Sequence, residues 1–358
     1  MQRMAWVEIN GVALRHNLAL IKQRVPHAKI MTVIKANAYG HGLVAVAKIL
    51  TDADGFAVAH LNEAQALRDA GIQKPISVFQ GIQTASDWQQ CQQQTLWPVL
   101  YQAWQVDLVC SHASHKTAVW LKVTTGMNRL GVTPDDALVL GQKLKTHGIN
   151  VRLLTHMARA DEGITHGQFT SQQLAVFAQV QQSLQLEASA ANSACLWDWP
   201  NSHYDWVRPG IALYGISPFL DHTATALNLH AVMTLKTRVI AINQVRAGDS
   251  VGYGDAYVCQ RDMRIAVVAI GYGDGYPRHA KSGTPVLVNG QRAFLVGRVS
   301  MDLLTLDVSH LSNIQVGDEV TLWGEGLPVE QIAQNAETIA YELLCGIQDR
   351  VRTAYQNV

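Results

Sequence analysis

The sequence is short of charge, of paired cysteines and of long apolar runs. Only 16% of its 358 residues are Asp, Glu, Lys or Arg, and the two signs balance at 28 each. Intrinsic disorder needs many charges and few apolar residues. Here hydrophobic residues make up 48%, so the chain can bury a core. A net charge of zero gives no basic footprint for nucleic acid and none for an anionic membrane surface. The five cysteines, Cys91, Cys110, Cys195, Cys259 and Cys345, are scattered and form no CxxC pair. That argues against a disulfide framework or a zinc site and fits reduced thiols in the cytoplasm. No apolar run is long enough to span a bilayer. The start, MQRMAWVEIN, lacks the apolar stretch and small-residue cleavage site of a signal peptide, since Glu8, Asn10, Arg15 and His16 interrupt it. His112 and His115 stand three apart with no visible third ligand, so no metal is expected.

The length suggests two domains, or one large barrel with an addition. Short apolar runs alternate with helical patterns through the first two-thirds: Ile30–Lys35, Gly55–Ala59, Pro75–Phe79, Trp97–Leu100, Ala118–Val123, Val151–His156, Leu186–Ala191 and Trp206–Tyr214. Several are apolar on consecutive positions, the mark of strands buried on both faces. Helix candidates between them include Leu43–Leu50, Asn62–Ala70 and Thr170–Leu184. Roughly eight such units suggest a (β/α)8 TIM barrel, with a doubly wound sheet as the rival. In a barrel, chemistry is expected at the C-terminal ends of the strands. After about Asp221 the pattern turns to short strands, with Asn289-Gly290 as a type I′ hairpin signal and a late helix over Val329–Leu343. The expected division is residues 1–228 as the barrel and 229–358 as a mostly β domain.

The strongest local signal is VIKANAYGHG, Val33 to Gly42. Lys35 closes an apolar strand. A lone lysine there is usually a snorkelling side chain. Desolvation or a nearby cation would instead lower its pKa and permit Schiff-base chemistry near neutrality. This segment resembles the pyridoxal 5'-phosphate attachment motif of the alanine racemase family, and the resemblance runs almost end to end. It implies an N-terminal barrel, a C-terminal β domain and a homodimer in which each site borrows residues from its partner. It also implies interconversion of L-alanine and D-alanine, serving peptidoglycan or alanine catabolism. A broad-specificity or serine racemase on the same scaffold is the alternative. A non-catalytic cofactor carrier and a decarboxylase of the same fold type are further rivals.

By that resemblance Lys35 binds the cofactor and is one of two catalytic bases. Tyr253, in VGYG, is the other and acts from the partner subunit. Two bases on opposite faces let a proton leave one side of the α-carbon and return to the other without a moving group. Arg208, in VRPGI, is implied to face the pyridine nitrogen, where a group that stays protonated cannot give that nitrogen a proton. His156 is implied to link Arg208 and Tyr253. Ser193, beside Asn192, would bind the phosphate with Tyr39 and the backbone N–H groups of Gly210 and Ile211. Arg129 would contact the cofactor's phenolic oxygen and the substrate carboxylate, oriented by Lys122, which some family members carbamylate. Thr124 stands where Asp is common. Met301 would bind the carboxylate through its N–H, within GRVSMD, which also holds Arg298 and Asp302. Tyr272 would line the entrance, with Arg298 and Asp161 nearby. The glycines at 271, 273 and 275 lie among β patterns and fail as a dinucleotide loop.

One departure stands out. Many relatives carry Tyr at the place of Asp349, where it contacts the phosphate and narrows the pocket. Asp can only accept hydrogen bonds, so it is expected to turn away, toward Arg350 or Arg352.

Overall fold

The computed structural model describes residues 4–112, 117–219 and 222–358; His115 and Asp221, used above, lie outside them. Eight strands form one all-parallel sheet: β2 (Lys29–Val33), β3 (Gly55–Val58), β4 (Ile76–Val78), β5 (Leu96–Leu100), β6 (Ala118–Lys122), β7 (Asn150–Leu154), β8 (Ala188–Ser189) and β9 (Trp206–Val207). Their order, β8-β7-β6-β5-β4-β3-β2-β9, leaves β8 and β9 at the ends. Backbone bonds from Asp205 N to Ala188 O (3.2 Å) and from Arg208 N to Ala191 O (2.9 Å) bring those ends together. The result is a nearly closed barrel and not a doubly wound sheet. Its strands are buried on both faces, as β6 shows: Ala118, Val119, Trp120 and Leu121 are all buried. Helices such as Pro134–Thr146 and Gln168–Leu184 pack outside, each covering the barrel with its apolar stripe.

A second sheet holds β1 (Trp6–Asn10), β10 (Met233–Val245), β11 (Met263–Val268), β12 (Pro285–Val288), β13 (Gln291–Leu295), β14 (Leu304–Asp307), β15 (Glu319–Trp323) and β16 (Arg352–Gln356). Its order is β11-β14-β13-β12-β15-β10-β1-β16. The β12–β13 hairpin turns at Asn289 (φ 49°) and Gly290 (φ 77°), the two positive values a type I′ turn requires. β1 does not belong to the barrel, although the linear reading assigned residues 1–228 to it. Trp6–Ile9 pair antiparallel with β10, and Trp6–Asn10 pair parallel with β16. The late helix is two helices, Val329–Asn335 and Ala340–Cys345. Between them Glu337 takes a left-handed φ of 51°, which no continuous helix tolerates. Among the described residues no helix is long and apolar enough to cross a membrane.

Candidate active site

Lys35, read as closing the strand, lies two residues beyond the end of β2, at the C-terminal mouth of the barrel. It opens a helical turn, Lys35–Tyr39, of the wrong hand: Ala36, Asn37, Ala38 and Tyr39 have φ of 54°, 54°, 54° and 53°. A left-handed helical residue other than glycine costs roughly 1–2 kcal/mol. Surrounding contacts hold the turn. Ala36 N donates to Glu63 Oε1 (2.7 Å), and Asn37 Oδ1 accepts from Leu43 N (2.8 Å). The buried His41 ring meets Tyr39 O (2.8 Å) and Ala38 O (3.0 Å) through Nδ1. Carbonyls only accept, so Nδ1 carries the hydrogen; burial, the dominant cause, holds this imidazole down at about 4. Tyr355 Oη donates to His41 O (3.1 Å) from β16. Gly40 is required by contact as well as by its φ of 78°: a Cβ there would stand 2.2 Å from Leu344 O.

Four more cationic or basic groups converge on this mouth. Lys122 ends β6, His156 follows β7, Arg208 follows β9, and Arg129 sits in the loop after β6. Burial first, then the charge of Arg129, lowers the Lys35 amine, against the pull of Cys345 and Glu63. Burial and the charges of Arg208, Arg129 and Lys35 hold Lys122 down at about 8. His156 is driven well below its ordinary value by burial, then by Arg208, Lys122, Arg129 and Lys35. Arg208, buried and lowered to about 10 by desolvation, remains a cation. Its guanidinium donates to Ser189 Oγ, to Thr155 O (2.6 Å), to Ala190 O (3.2 Å) and to His156 Nδ1 (3.5 Å). All of these are neutral acceptors. Among the described residues none of Lys35, Lys122, Arg129 and Arg208 forms an ion pair.

A polar cradle lies beside the cations. Ser193 Oγ accepts from Gly210 N (2.9 Å) and Ala212 N (3.4 Å) at the start of the 3-10 turn Ile211–Tyr214. A Cβ on Gly210 would approach Tyr39 Oη to 2.7 Å, so glycine leaves the room there. Asn192 supports the segment by donating to Met157 O (3.3 Å) and accepting from Cys195 N (3.3 Å). A hydroxyl pair, backbone donors and an uncompensated group of cations together suit a phosphorylated, anionic cofactor. Among the described residues no group of three or more His, Cys, Asp or Glu is arranged to hold a metal ion.

The remaining candidates, Asp161 apart, lie on the β domain. Tyr253 is 72% exposed on a one-turn helix, Tyr253–Asp255, raised by Gly252 (φ 79°) and Gly254 (φ 67°). A small core of Val251, Cys259, Met263, Ile265 and Val296 supports it. Arg298 lies alongside, its guanidinium 3.5 Å from where a Cβ on Gly254 would be. Tyr272 N donates to Ser300 O (3.0 Å) and Gly273 N to Met301 O (2.8 Å), so Tyr272 and Met301 share one exposed edge. Asp302 and the buried Asp274 grip Arg350, at 2.6 and 2.9 Å. Asp349 sits in an exposed turn beside it. Asp161, on the barrel, lines an open groove with Arg159, Glu162 and Phe169, and its charge reaches Tyr341. Within one protomer, then, the barrel candidates gather and the β-domain candidates form a separate exposed face.

Sequence reasoning missed three groups at the mouth. The Tyr341 ring lies 5.8 Å from that of Tyr39, and burial with the charge of Asp161 pushes its phenol up to about 12. Cys345 interacts electrostatically with Lys35 and Tyr39. Glu63 reaches the turn from another β/α unit. None carries a local motif.

Comparison with known proteins identifies the family. The family described as "Alanine racemase, N-terminal domain" matches residues 9–218, and "Alanine racemase, C-terminal domain" matches residues 232–355. The alanine racemase of Nitrosomonas europaea is 45% identical over 350 residues, covering 96% of each chain. That of Coxiella burnetii (strain RSA 493 / Nine Mile phase I) is 46% identical over 357 residues, covering 97% of this chain and 98% of its own. Among solved structures, biosynthetic alanine racemase from Pseudomonas aeruginosa superposes with a TM-score of 0.95 at 41% identity, over 100% of both chains. Alanine racemase from Bartonella henselae, with covalently bound pyridoxal phosphate, gives 0.90 at 30% identity over 99% of both. Matches of this extent, over both domains, place the chain in the alanine racemase family.

Proposed function

We propose that this protein interconverts L- and D-alanine as a cytoplasmic homodimer, with pyridoxal 5'-phosphate held covalently by Lys35. The observation that carries the proposal is the group of unpaired cations around Lys35 at the barrel mouth. When bound, the cofactor supplies an electron-withdrawing ring that acidifies the substrate's α C–H bond.

The chain's own residues do the rest. Tyr39, Ser193 and the N–H groups of Gly210 and Ile211 bind the phosphate. Arg208 would face the ring nitrogen and keep its own proton there, so that it would give the nitrogen a hydrogen bond and not a proton. His156, held neutral by burial first and then by the surrounding cations, accepts from Arg208 and orients it. Arg129 binds the substrate carboxylate, aided by Met301 N–H of the β-domain face. Lys122 at about 8 has a neutral fraction near neutral pH, the form that can take up carbon dioxide and become an anion that orients Arg129. Lys35 and the partner subunit's Tyr253 hold the proton on opposite faces of the α-carbon. The exposure of Tyr253, Tyr272 and Met301 in the single protomer supports their use by a second copy.

The test is chiral product analysis from each alanine enantiomer, with the other L-amino acids as competitors. Conversion in both directions to an equilibrium ratio near one is expected, since the products are mirror images. In Tyr253→Phe, exchange of the α-proton with solvent should survive better from D-alanine than from L-alanine. Equal loss from both enantiomers would reject the two-base assignment. Faster turnover of serine than of alanine would favour the broader-specificity reading, which rests on Asp349. The product's use in peptidoglycan supply or in catabolism is a separate question for a deletion strain and D-alanine rescue.

A further inference from the structure

Three successive β/α units share one device. In the helices Leu61–Asp69, Ala85–Gln94 and Ala103–Ser111 the third residue folds back over the entering turn: Glu63, Asp87 and Gln105. One oxygen of each accepts the backbone N–H groups four and three residues earlier. Glu63 Oε2 takes Ala59 (2.8 Å) and His60 (3.1 Å). Asp87 Oδ2 takes Gln83 (2.7 Å) and Thr84 (3.0 Å). Gln105 Oε1 takes Tyr101 (2.8 Å) and Gln102 (3.1 Å). A single oxygen therefore suffices for the cap, and an amide serves as well as a carboxylate.

The second atom is what differs. Gln105 Nε2 crosses to an earlier loop and donates to Ile82 O (2.8 Å). Glu63 also crosses to an earlier loop, but in the opposite sense: Oε1 accepts from Ala36 N (2.7 Å). Ala36 follows Lys35 directly and begins the left-handed residues, and the first N–H groups of a helical turn have no partner within it. We propose that Glu63 is a positioning residue for Lys35, its second carboxylate oxygen fastening the left-handed turn to the neighbouring β/α unit so that the amine is presented at the barrel mouth. This rests on the reading of Lys35 as the cofactor lysine. The charge of Glu63 also acts on the Lys35 amine, opposing that of Arg129.

Two variants separate this role from ordinary capping. Glu63→Gln keeps the length and one carbonyl oxygen, but its other atom becomes a donor and cannot accept from a backbone N–H while the cap is kept. Asp87→Asn makes the same chemical change in a cap that does not touch the turn. The measurement is the rate at which cofactor-stripped, full-length protein takes up pyridoxal 5'-phosphate, followed by absorbance across pH, with borohydride fixation to locate the attachment. Loss of one charge-assisted hydrogen bond should lower the high-pH plateau of Glu63→Gln about tenfold. Its pH midpoint should fall, because the lost negative charge had favoured the protonated amine. Asp87→Asn should match wild type in both. Amide hydrogen exchange reads the bond itself and should quicken at Ala36 in Glu63→Gln only, even where that variant melts lower. A wild-type plateau, midpoint and Ala36 exchange rate in Glu63→Gln, or the same changes in Asp87→Asn, would overturn the role. Wild-type protein that fixes the cofactor on another lysine would overturn the functional reading, and the inference with it.

Discussion

At the N-terminal end of the barrel, Arg152 and Lys29 share Glu187, at 2.5 and 3.6 Å. The Arg152 guanidinium also lies over Trp97 (4.2 Å) and Trp120 (5.9 Å), and Lys29 lies over Trp206 (5.2 Å). The Trp206 ring meets Trp97 and Trp120 nearly edge-on, and Trp120 Nε1 donates to Ser77 Oγ (2.7 Å). At the C-terminal end, Lys35, Lys122, Arg129 and Arg208 form no ion pair among the described residues; after burial, the charges of the others lower Lys122, and that of Arg129 lowers Lys35 against the weaker pull of Glu63. The same kinds of side chain stand at both ends. At the floor each positive charge meets a carboxylate or an aromatic face, which stabilises the fold. At the mouth the positive charge is unmet, which costs stability and creates affinity for an anion.

The same kind of change at the two ends should therefore act on different observables. Arg208→Lys keeps a cation but loses the planar fork. It should lower kcat by about a hundredfold, a typical loss for one catalytic donor, with little change in melting temperature. Arg152→Met should do the reverse. Removing the stacked partner of Glu187 should cost about 1–3 kcal/mol in denaturant unfolding while kcat stays at the wild-type value. A fall in kcat without loss of stability would break the comparison.

Asp349→Tyr tests the rim of the mouth. A phenol can donate to a phosphate where an ionised carboxylate cannot. Cofactor affinity should rise about tenfold, read by titration of stripped protein, and the serine-to-alanine activity ratio should fall. If neither moves, Asp349 lies outside the phosphate and entrance shells.

The smallest effect is on Lys122. Its folded value is about 8, below the ordinary 10.5, so the folded state disfavours the proton. The cost is fully present below pH 8, shrinks as pH rises, and is gone above 10.5. Lys122→Gln should raise the melting temperature of stripped protein by ~2–5 °C at neutral pH and by nothing above that range. A bound anion should reduce the gain. No gain at neutral pH would indicate that Lys122 is held as a carbamate, which a carbonyl resonance in protein exposed to 13C-bicarbonate would report.

The barrel was legible because doubly buried parallel strands are written as apolar runs, of which Val119–Leu121 is one. Lys35 was legible as the residue closing one such run; Lys122, His156 and Arg208 were singled out by resemblance to the family's segments. Less was legible where long-range pairing decides. Nothing local in Trp6–Asn10 says that it pairs with strands more than two hundred residues away. Ala36, Ala38 and Tyr39 have no intrinsic preference for left-handed backbone; Glu63, His41 and Leu344 impose it from elsewhere. Glu63 itself looks in sequence like any helix cap. The proposed meeting of Tyr253 with Lys35 was not legible from residue pattern at all and came from resemblance, because it would join two chains.

If the unpaired cations at the mouth serve a bound cofactor, one lysine among them, Lys35, is its attachment point. Borohydride reduction of the purified, cofactor-loaded protein, followed by peptide mapping, tests it most directly. The expected result is a single fixed label on the peptide containing Lys35, with Lys122 free of label although it stands in the same cluster. Label on Lys122, or on any lysine outside the mouth, would contradict the account.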